Sequence, residues 1–572
     1  MKADPNQKTS LRINWLTLLS VFLVSVTLVG LQLLLMRTLS VIRYHHFSYL
    51  VISTALLGFG VSGTFLTFFY SRMKRRFGLW MCGFYLLFLI SIPVSYLIAQ
   101  SLPIDTQYVL FSTRQQLLML LYNLLVLIPF FLGAVIVGSL ITHFGKSVST
   151  IYAADLLGSG AGGIISLLIM FVVSATELPL KLTIFGLLGL IALLLSTPSF
   201  FSRPGKVIPV SALIIGIGVT VVSFMVHPQT PVDQYKALAN FQRLERQDDA
   251  THVAQVSGPR AQIDVYRSPK IHQTLFAGLQ TASMPPPQLA LLIDGQLAGT
   301  VFSVDSIGET AILDHTPQSV PYRLSRKPRV LLLGEVGGTN IWLAKRFCAA
   351  SVTVVQTNPQ LLTLMQGELS TSSGKIFSRK GVRIVNQHPR LFIEQTKEQY
   401  DIIQIVSAEG MAATTGGMQS LHENYLLTVE GIAGCISRLT QDGFLSITRG
   451  IQSPPRDNMK VFATFTEAAQ DAGIDSPAAH LLQGRNYLAV NTLVSKTRLE
   501  DDRIAQFKAA CDSLLMDTEY YPGIISREIT QTNKIPGPEG KPYSYLHHAA
   551  KQILSPRTEA FYDSWMYHVR PA

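Results

Sequence analysis

The chain has 572 residues, of which 48% are hydrophobic and only 15% charged, with a net charge of +11 and a mean hydropathy of +0.30. Fourteen basic and four acidic residues precede position 228, so nearly all of the net charge belongs to the most apolar part of the chain. This composition excludes disordered, collagen-like and disulfide-scaffold classes. The near-neutral remainder argues against a nucleic-acid partner. The sequence therefore predicts one part in a lipid bilayer and one soluble part.

Seven apolar runs are each about as long as the ~20 residues that cross hydrocarbon as a helix. The predicted spans lie at 14–36, 47–70, 78–99, 117–141, 151–174, 178–196 and 207–226. The first run is too long for a signal-peptide core and lacks a small-residue cleavage site, which predicts a retained signal anchor.

The distribution of Lys and Arg between the loops predicts the orientation of these spans. Bases cluster at the N-terminus and at 72–76, which predicts a cytoplasmic N-terminus in a cell (inner) membrane. Seven spans then place the soluble part outside the cytoplasm, in the periplasm of a bacterium. One miscounted hairpin would reverse that side, and the short turn at 174–179 is the weakest boundary.

Some small and polar residues lie within the predicted spans. Gly58 with Ser62, and Gly158 with Gly162, are small-residue pairs that let helix backbones approach closely. Asp155 falls in the first turn of its predicted span, which favours an interfacial carboxylate over a proton relay. No inverted repeat is visible, which weakens a transporter interpretation.

Cysteines and histidines do not form a metal-ligand pattern. The four cysteines are dispersed and no C-x-x-C occurs, so neither a disulfide framework nor a metal site is indicated. The pairs at 45–46 and 547–548 are sequence neighbours, whose side chains point in different directions on a helix or strand. We expect no metal site.

From position 228 the pattern changes to strands that alternate with helices. Strands are expected at 262–267, 289–293, 329–333, 352–355, 382–385, 400–406 and 444–448, and helices at 340–347, 358–368 and 423–439. Wholly apolar strands such as 330–333 are typical of a parallel sheet covered on both faces. The sequence predicts a doubly wound α/β domain with a ligand crevice beyond the carboxyl ends of its strands. The expected organisation is 1–227 as an α-helical multi-pass membrane bundle, 228–328 as a linker with an N-terminal β-hairpin subdomain, and 329–572 as the α/β domain.

Two segments of the α/β domain carry a family resemblance. VLLLGEVGG at 330–338 and VTVVQTNP at 352–359 resemble spermidine synthase and its S-adenosylmethionine-dependent methyltransferase-fold relatives. QIDV at 262–265 and LIDG at 292–295 resemble the N-terminal β-hairpin of that family. The stretches 44–60, 151–158, 423–430 and 446–449 resemble multi-pass membrane proteins of the spermidine synthase-like family, so the resemblance spans nearly the whole chain. It implies a methyltransferase-like (Rossmann-like) fold and, if the protein is active, S-adenosylmethionine or its decarboxylated form as cofactor and a polyamine as substrate.

The resemblance also implies the site residues. Those matching the cofactor site are Gly334, Gly337, Gly338, Gln356 and His388, and those matching the substrate site are Gln262 and Asp294. Bulky Glu335 and Val336 stand where the family has glycine. Gln356 stands where the family has the acid that accepts the ribose hydroxyls, His388 where it has an acid that helps hold the adenosine, and Ser407 where it has the catalytic acid. Glu409 is the nearby carboxylate that could accept a proton in aminopropyl transfer. A neutral side chain such as that of Gln356 cannot make the charge-assisted hydrogen bonds that a carboxylate makes with the ligand. The sequence therefore favours a domain that has lost or changed its nucleoside ligand.

Two other functions stay open. The chain could be an active polyamine aminopropyltransferase or another S-adenosylmethionine-dependent transferase, or a membrane transport or assembly component. The loop 408–420 could serve as a lid or as a surface connection.

The C-terminal segment 560–572 is rich in aromatic residues. It is expected to dock on a separate membrane protein or fray, or else to pack back on the domain.

Overall fold

The structure is a computed structural model that describes residues 13–44, 47–196, 207–228, 231–274, 276–279, 281, 283–406, 425–452, 454–534, 543–565 and 567–572. The chain divides into two compact units. The first comprises Met1–Ala239 with Val256–Gln262, and the second Asn240–Gln255 with Ile263–Ala572. The predicted order, a helical apolar region followed by an α/β domain, is confirmed.

The first unit is built mainly from long apolar helices. They are α1 (Trp15–Ile42), α2 (Ser48–Met73), α3 (Phe77–Ser101), α4 (Thr113–His143), α5 (Val148–Ile169), α7 (Thr183–Ser196) and α8 (Val207–Met225), with the short helix α6 (Leu178–Lys181) before α7. Helix α9 (Ala237–Glu245) begins in the first unit and continues into the second. Among the described residues, six helical stretches are long and apolar enough to cross a membrane. One of them, Ser48–Ser101, contains both α2 and α3, joined by a 3₁₀ turn at Lys74–Arg76.

Helix α2 runs in the same direction as α4. Near its start, the Thr54 hydroxyl donates a hydrogen bond to Asn123 at 3.1 Å. Nearer its end, Leu66 packs against Gly138. The residue numbers of the contacting pairs increase together along α2 and α4, so the two helices are parallel.

Helix α3 runs in the opposite direction to α4. The ring of Phe77, at the start of α3, stacks on His143 at the end of α4 with centroids 3.8 Å apart. At the other end, Gln100 donates to the Tyr122 hydroxyl at 3.3 Å. The chain therefore reverses direction at Lys74–Arg76, which is why one 54-residue apolar stretch holds two helices.

Helix α1 packs along α5 through glycines. A Cβ atom at Gly158 would overlap the carbonyl oxygen of Phe22, and one at Gly162 would lie 2.7 Å from that of Val26. The predicted packing role of this glycine pair is confirmed. The placement of Asp155 in the first turn is wrong, because α5 begins at Val148 and Asp155 is its eighth residue.

Helices α7 and α8 complete the bundle. Asn14 and Ser20 of α1 donate to the carbonyls of Ser196 and Gly189 of α7 at 3.2 and 2.8 Å, so these two helices are antiparallel. Helix α8 in turn runs antiparallel to α6 and α7, because Gly216 packs against Leu187 while Phe224, later in α8, accepts from Lys181, earlier in the chain. The helix directions alternate along the chain.

The second unit contains a small sheet of four strands in the order β1-β2-β3-β4. The strands are β1 (Thr251–Val256), β2 (Ile263–Arg267), β3 (Gln288–Ile293) and β4 (Gln296–Phe302). Strands β3 and β4 pair antiparallel around Asp294 and Gly295, whose φ angles are +50° and +74°. Positive φ at both positions is the geometry of a type I′ hairpin turn.

The larger sheet has eight strands in the order β12-β10-β11-β9-β8-β5-β6-β7. They are β5 (Arg329–Leu333), β6 (Ser351–Val355), β7 (Val382–Val385), β8 (Tyr400–Ile405), β9 (Leu439–Gly450), β10 (Leu481–Arg485), β11 (Ala489–Ser495) and β12 (Asp517–Tyr520). The five from β5 to β9 are parallel, in doubly wound order, with a topological switch between β5 and β8.

Nine helices accompany this sheet in the described part of the chain. They are α10 (Val320–Arg323), α11 (Thr339–Arg346), α12 (Pro359–Gln366), α13 (Pro389–Gln395), α14 (Val429–Ser437), α15 (Arg456–Asp471), α16 (Asp501–Ser513), α17 (Tyr545–Ile553) and α18 (Thr558–Ser564). The single helix predicted over 423–439 is wrong in extent. The Thr428 side chain accepts from the Gly431 amide and so caps α14 at its start, while Leu439 already belongs to β9.

The C-terminal segment packs back on the α/β domain. Phe561 and Val569 are buried, and Trp565 packs against the same core. The Ala572 carbonyl accepts a hydrogen bond from the Val429 amide at 2.9 Å. Of the arrangements expected for 560–572, the described residues adopt the one in which the segment packs back on the domain.

Candidate active site at the carboxyl ends of β5 and β6

The turn after β5 depends on glycine. Gly334 and Gly338 have φ angles of +89° and +86°, a region that other residues rarely adopt. The turn follows Leu333, which is buried, and Gly338 immediately precedes α11. It therefore aims the N-terminus of α11 at the crevice where doubly wound folds bind ligands.

The carboxylate of Glu335 occupies this helix N-terminus. One oxygen accepts from the Gly338 amide at 2.6 Å, and the other accepts from the Asn340 side chain at 2.7 Å. Glu335 is only 1% exposed. Burial raises the pKa of its carboxyl group, and the hydrogen bonds from Asn340 and Gly338 partly oppose that shift. A helix N-terminus offers backbone N–H donors, and here a side chain of the same turn accepts one of them.

Gly337 allows a close approach by the protein itself. A Cβ atom at this position would overlap the carbonyl oxygen of Thr300 in β4. The resemblance assigns Gly337 to a cofactor site, yet the group that crowds it is a strand of the same domain. Gly338 is crowded in the same way, because a Cβ atom there would lie 2.7 Å from Ile376.

Gln356 is held by two backbone hydrogen bonds. Its side-chain nitrogen donates to the Glu335 carbonyl at 2.7 Å, and its side-chain oxygen accepts from the Asn358 amide at 3.1 Å. The side chain is 9% exposed. The residue expected to face the ribose hydroxyls therefore ties the end of β6 to the turn after β5.

A buried polar chain extends from Glu335 into the sheet. Asn340 accepts from Gln404 at 2.9 Å, and Gln404 accepts from the Tyr322 hydroxyl at 2.9 Å. Burial raises the pKa of the Tyr322 hydroxyl, so it stays a neutral donor. Sequence reasoning missed both Gln404 and Tyr322. The available signal was a lone polar residue, Gln404, in the otherwise apolar run 402–405.

The remaining predicted residues lie in different settings. His388 is exposed at the start of α13, where its side chain does not cap the helix. Gln262 is buried, and Asp294 lies in the β3–β4 turn. Ser407 and Glu409, the predicted catalytic residues, lie outside the described residues, as does the loop 408–420.

A second polar cluster lies on β1 and β2. Asp264 is 1% exposed and accepts from Gln255 at 2.7 Å, and His252 lies 3.3 Å from the same carboxylate oxygen. The hydrogen bond to Asp264 raises the pKa of His252. Across the described residues, no group of three or more His, Cys, Asp or Glu side chains is arranged to hold a metal ion.

Several solved structures are similar to this chain. A spermidine synthase in complex with the transition-state analogue AdoDATO and the spermidine synthase from Thermotoga maritima each share 17% identity, covering 54% of this chain and 86% of theirs, with a TM-score of 0.30. Human methyltransferase-like protein 13 in complex with SAH shares 13% identity over 35% of this chain and 91% of its own, with a TM-score of 0.26. No protein-family profile and no curated protein sequence matches the chain.

Proposed function

We propose that this chain is a multi-pass membrane protein whose second unit has a spermidine synthase-like fold but no nucleoside-transfer activity. The observation that carries the proposal is the Glu335 carboxylate, which accepts the Gly338 amide at the N-terminus of α11. A ligand that used this helix N-terminus would have to displace a group that is covalently part of the turn.

Gln356 supports the same proposal. Binding of ribose hydroxyls by its side chain would break its hydrogen bonds to the Glu335 carbonyl and the Asn358 amide. Each such bond contributes about 0.5–1.5 kcal/mol, and a buried donor left without a partner costs about 1–3 kcal/mol. The rearrangement therefore opposes binding, and Gln356 offers no charge in return.

Isothermal titration of the full chain in detergent with S-adenosylmethionine, decarboxylated S-adenosylmethionine and methylthioadenosine tests this proposal. We expect no binding tighter than about 1 mM for any of the three. Intrinsic tryptophan fluorescence, to which buried Trp342 of α11 contributes, verifies that the protein is folded during the titration. Micromolar binding of any one nucleoside would overturn the proposal.

A transferase is the second candidate, and the position of the turn favours it. Gly334 and Gln356 follow the neighbouring strands β5 and β6, on the side of the sheet where doubly wound enzymes bind ligands. In this alternative Glu409 accepts the proton, as the family resemblance implies. If a nucleoside binds, Glu409→Ala should abolish aminopropyl transfer while Gln356→Ala should weaken nucleoside binding.

We further propose seven membrane crossings with a cytoplasmic N-terminus. The alternating helix directions put the start of α1 and the end of α8 at opposite ends of the first unit. Ten bases belong to the loops at the α1 start and four to the other end. Two of those four, Arg37 and Arg43, are buried and donate to the carbonyls of Gly258 and Ile104.

A reporter fusion tests this topology. Alkaline phosphatase fused after Val226 should be active only if that junction lies outside the cytoplasm, as seven crossings require. The same reporter fused at Gly145, between α4 and α5, should be inactive. The reverse pattern would contradict the proposed orientation, and activity at neither junction would contradict the number of crossings.

A further inference from the structure

The first unit contains an apolar cavity between α3, α6 and α8. Its volume is about 440 Å³. The lining residues are almost all apolar: Ile90, Pro93, Val94, Leu97, Leu180, Ile215, Gly218, Val219, Val222, Ser223 and Val226. The cavity is open at the surface, because wall residues such as Val94 and Val222 are exposed. On a helix long enough to span a membrane, an open apolar site of this kind would be filled by hydrocarbon rather than water.

The cavity has the length of one bilayer leaflet. Along α8 it extends from Ile215 to the helix end at Met225, which is about 15 Å at 1.5 Å per residue. Half of a ~30 Å hydrocarbon core is also about 15 Å. An acyl chain lying along α8 would therefore reach from the bilayer interface to the midplane.

Polar groups lie at the end of the cavity nearest the interface. Ser223 is 1% exposed, and its hydroxyl has no hydrogen-bond partner among the described residues. The Lys181 ammonium donates to the Phe224 carbonyl at 2.7 Å and lies 3.9 Å from Glu177. An ammonium group has three donors, so Lys181 can also serve a phosphate.

We propose that this cavity binds one acyl chain of a bilayer phospholipid, with the ester near Ser223 and the phosphate near Lys181. The order of the groups along α8 matches that of the lipid: an apolar wall, then a hydroxyl donor, then a cation at the interface. Long basic side chains near helix ends reach the interface in this way.

Gly218 offers a sharp test of this proposal. A Cβ atom there meets no neighbour within 4 Å, so Gly218→Phe would fill the cavity without a backbone clash. Gly160 of α5 is the matched control, because its Cβ position is equally open but lies outside the lining. Size-exclusion profiles of both variants verify folding.

The experiment uses the full chain in nanodiscs that contain a phospholipid with a photoreactive diazirine on one acyl chain. After irradiation and digestion, mass spectrometry should locate the label on Ile90–Leu97 and Ile215–Val226. Gly218→Phe should lose most of this labelling, and Gly160→Phe should retain it. Lys181→Gln should reduce it, and more so for anionic than for zwitterionic lipid. Labelling spread over all lipid-facing helices, or labelling unchanged in Gly218→Phe, would overturn the proposal.

Discussion

The carboxylate of Glu335 accepts the backbone N–H of Gly338 at 2.6 Å, immediately before α11 begins. The loop thereby satisfies one of the amide groups at its own helix N-terminus, which would otherwise be open to a ligand. The polar chain through Asn340 and Gln404 continues this pattern of internal satisfaction. A buried polar network of this kind stabilises one conformation when every member has a partner.

Removal of the Glu335 carboxylate should destabilise the protein. In Glu335→Ala the Gly338 amide and the Asn340 side chain lose their acceptor, which should lower the free energy of unfolding by about 1–3 kcal/mol. Glu335→Gln keeps one acceptor oxygen and should lose less. Thermal unfolding followed by intrinsic tryptophan fluorescence compares the parent with both variants. An alanine variant as stable as the parent would show that the carboxylate does not stabilise the turn.

Gly337 should not tolerate a side chain. Its Cβ position overlaps the Thr300 carbonyl, so Gly337→Ala must move β4 away from the turn. Overpacking of this kind costs about 1–3 kcal/mol. Gly299→Ala in the same strand is the control, since its Cβ would lie 4.0 Å from Val336. The transition temperatures of the two variants should differ, with Gly337→Ala the lower, and equal values would contradict the close approach.

The packing of α5 on α1 should depend on the glycines that face α1 and not on the others. Gly158→Leu places a side chain against the Phe22 carbonyl and should separate α1 from α5, whereas Gly160→Leu points into open space. We expect the first variant to aggregate or to melt at lower temperature in detergent, and the second to behave like the parent. Size-exclusion chromatography coupled to thermal scanning measures both. Identical behaviour of the pair would contradict the packing of these helices.

His252 should make stability depend on pH. Because Asp264 raises the pKa of folded His252, the folded state binds this proton more tightly than the unfolded state does. The stabilising contribution is therefore complete below about pH 6.5 and is lost as the pH rises through the folded pKa. His252 is 31% exposed, so the effect should be about 1 kcal/mol or less.

The measurement is the transition temperature between pH 5 and pH 9 for the parent and for His252→Gln. The two curves should converge as the pH rises. Asp264→Asn should remove most of the difference, and His388→Gln, at an exposed position, controls for the loss of an imidazole. If the two curves stay parallel across this range, the interaction between His252 and Asp264 does not contribute to the pH dependence of stability.

The sequence by itself predicts two strands of the larger sheet at their observed bounds. The predicted strand at 329–333 coincides with β5, which is apolar and buried after Arg329, and that at 382–385 coincides with β7, an edge strand in which Arg383 is exposed. The glycine pair at Gly158 and Gly162 likewise predicts close packing, since only small residues let two helix backbones meet. These features depend on local composition and spacing.

Only the tertiary structure decides which group fills the site. Tyr322 and Gln404 are 82 residues apart in the chain, and their hydrogen bond joins α10 to β8. The hydrogen bond from the Gly338 amide to Glu335 is local, and it lies in a turn where Gly334 and Gly338 both have positive φ angles. The cavity beside Gly218 arises from helices α3, α6 and α8, which lie far apart in the chain. Spacing predicts the elements, but the polar chain through Gln404 and this cavity depend on contacts between distant segments.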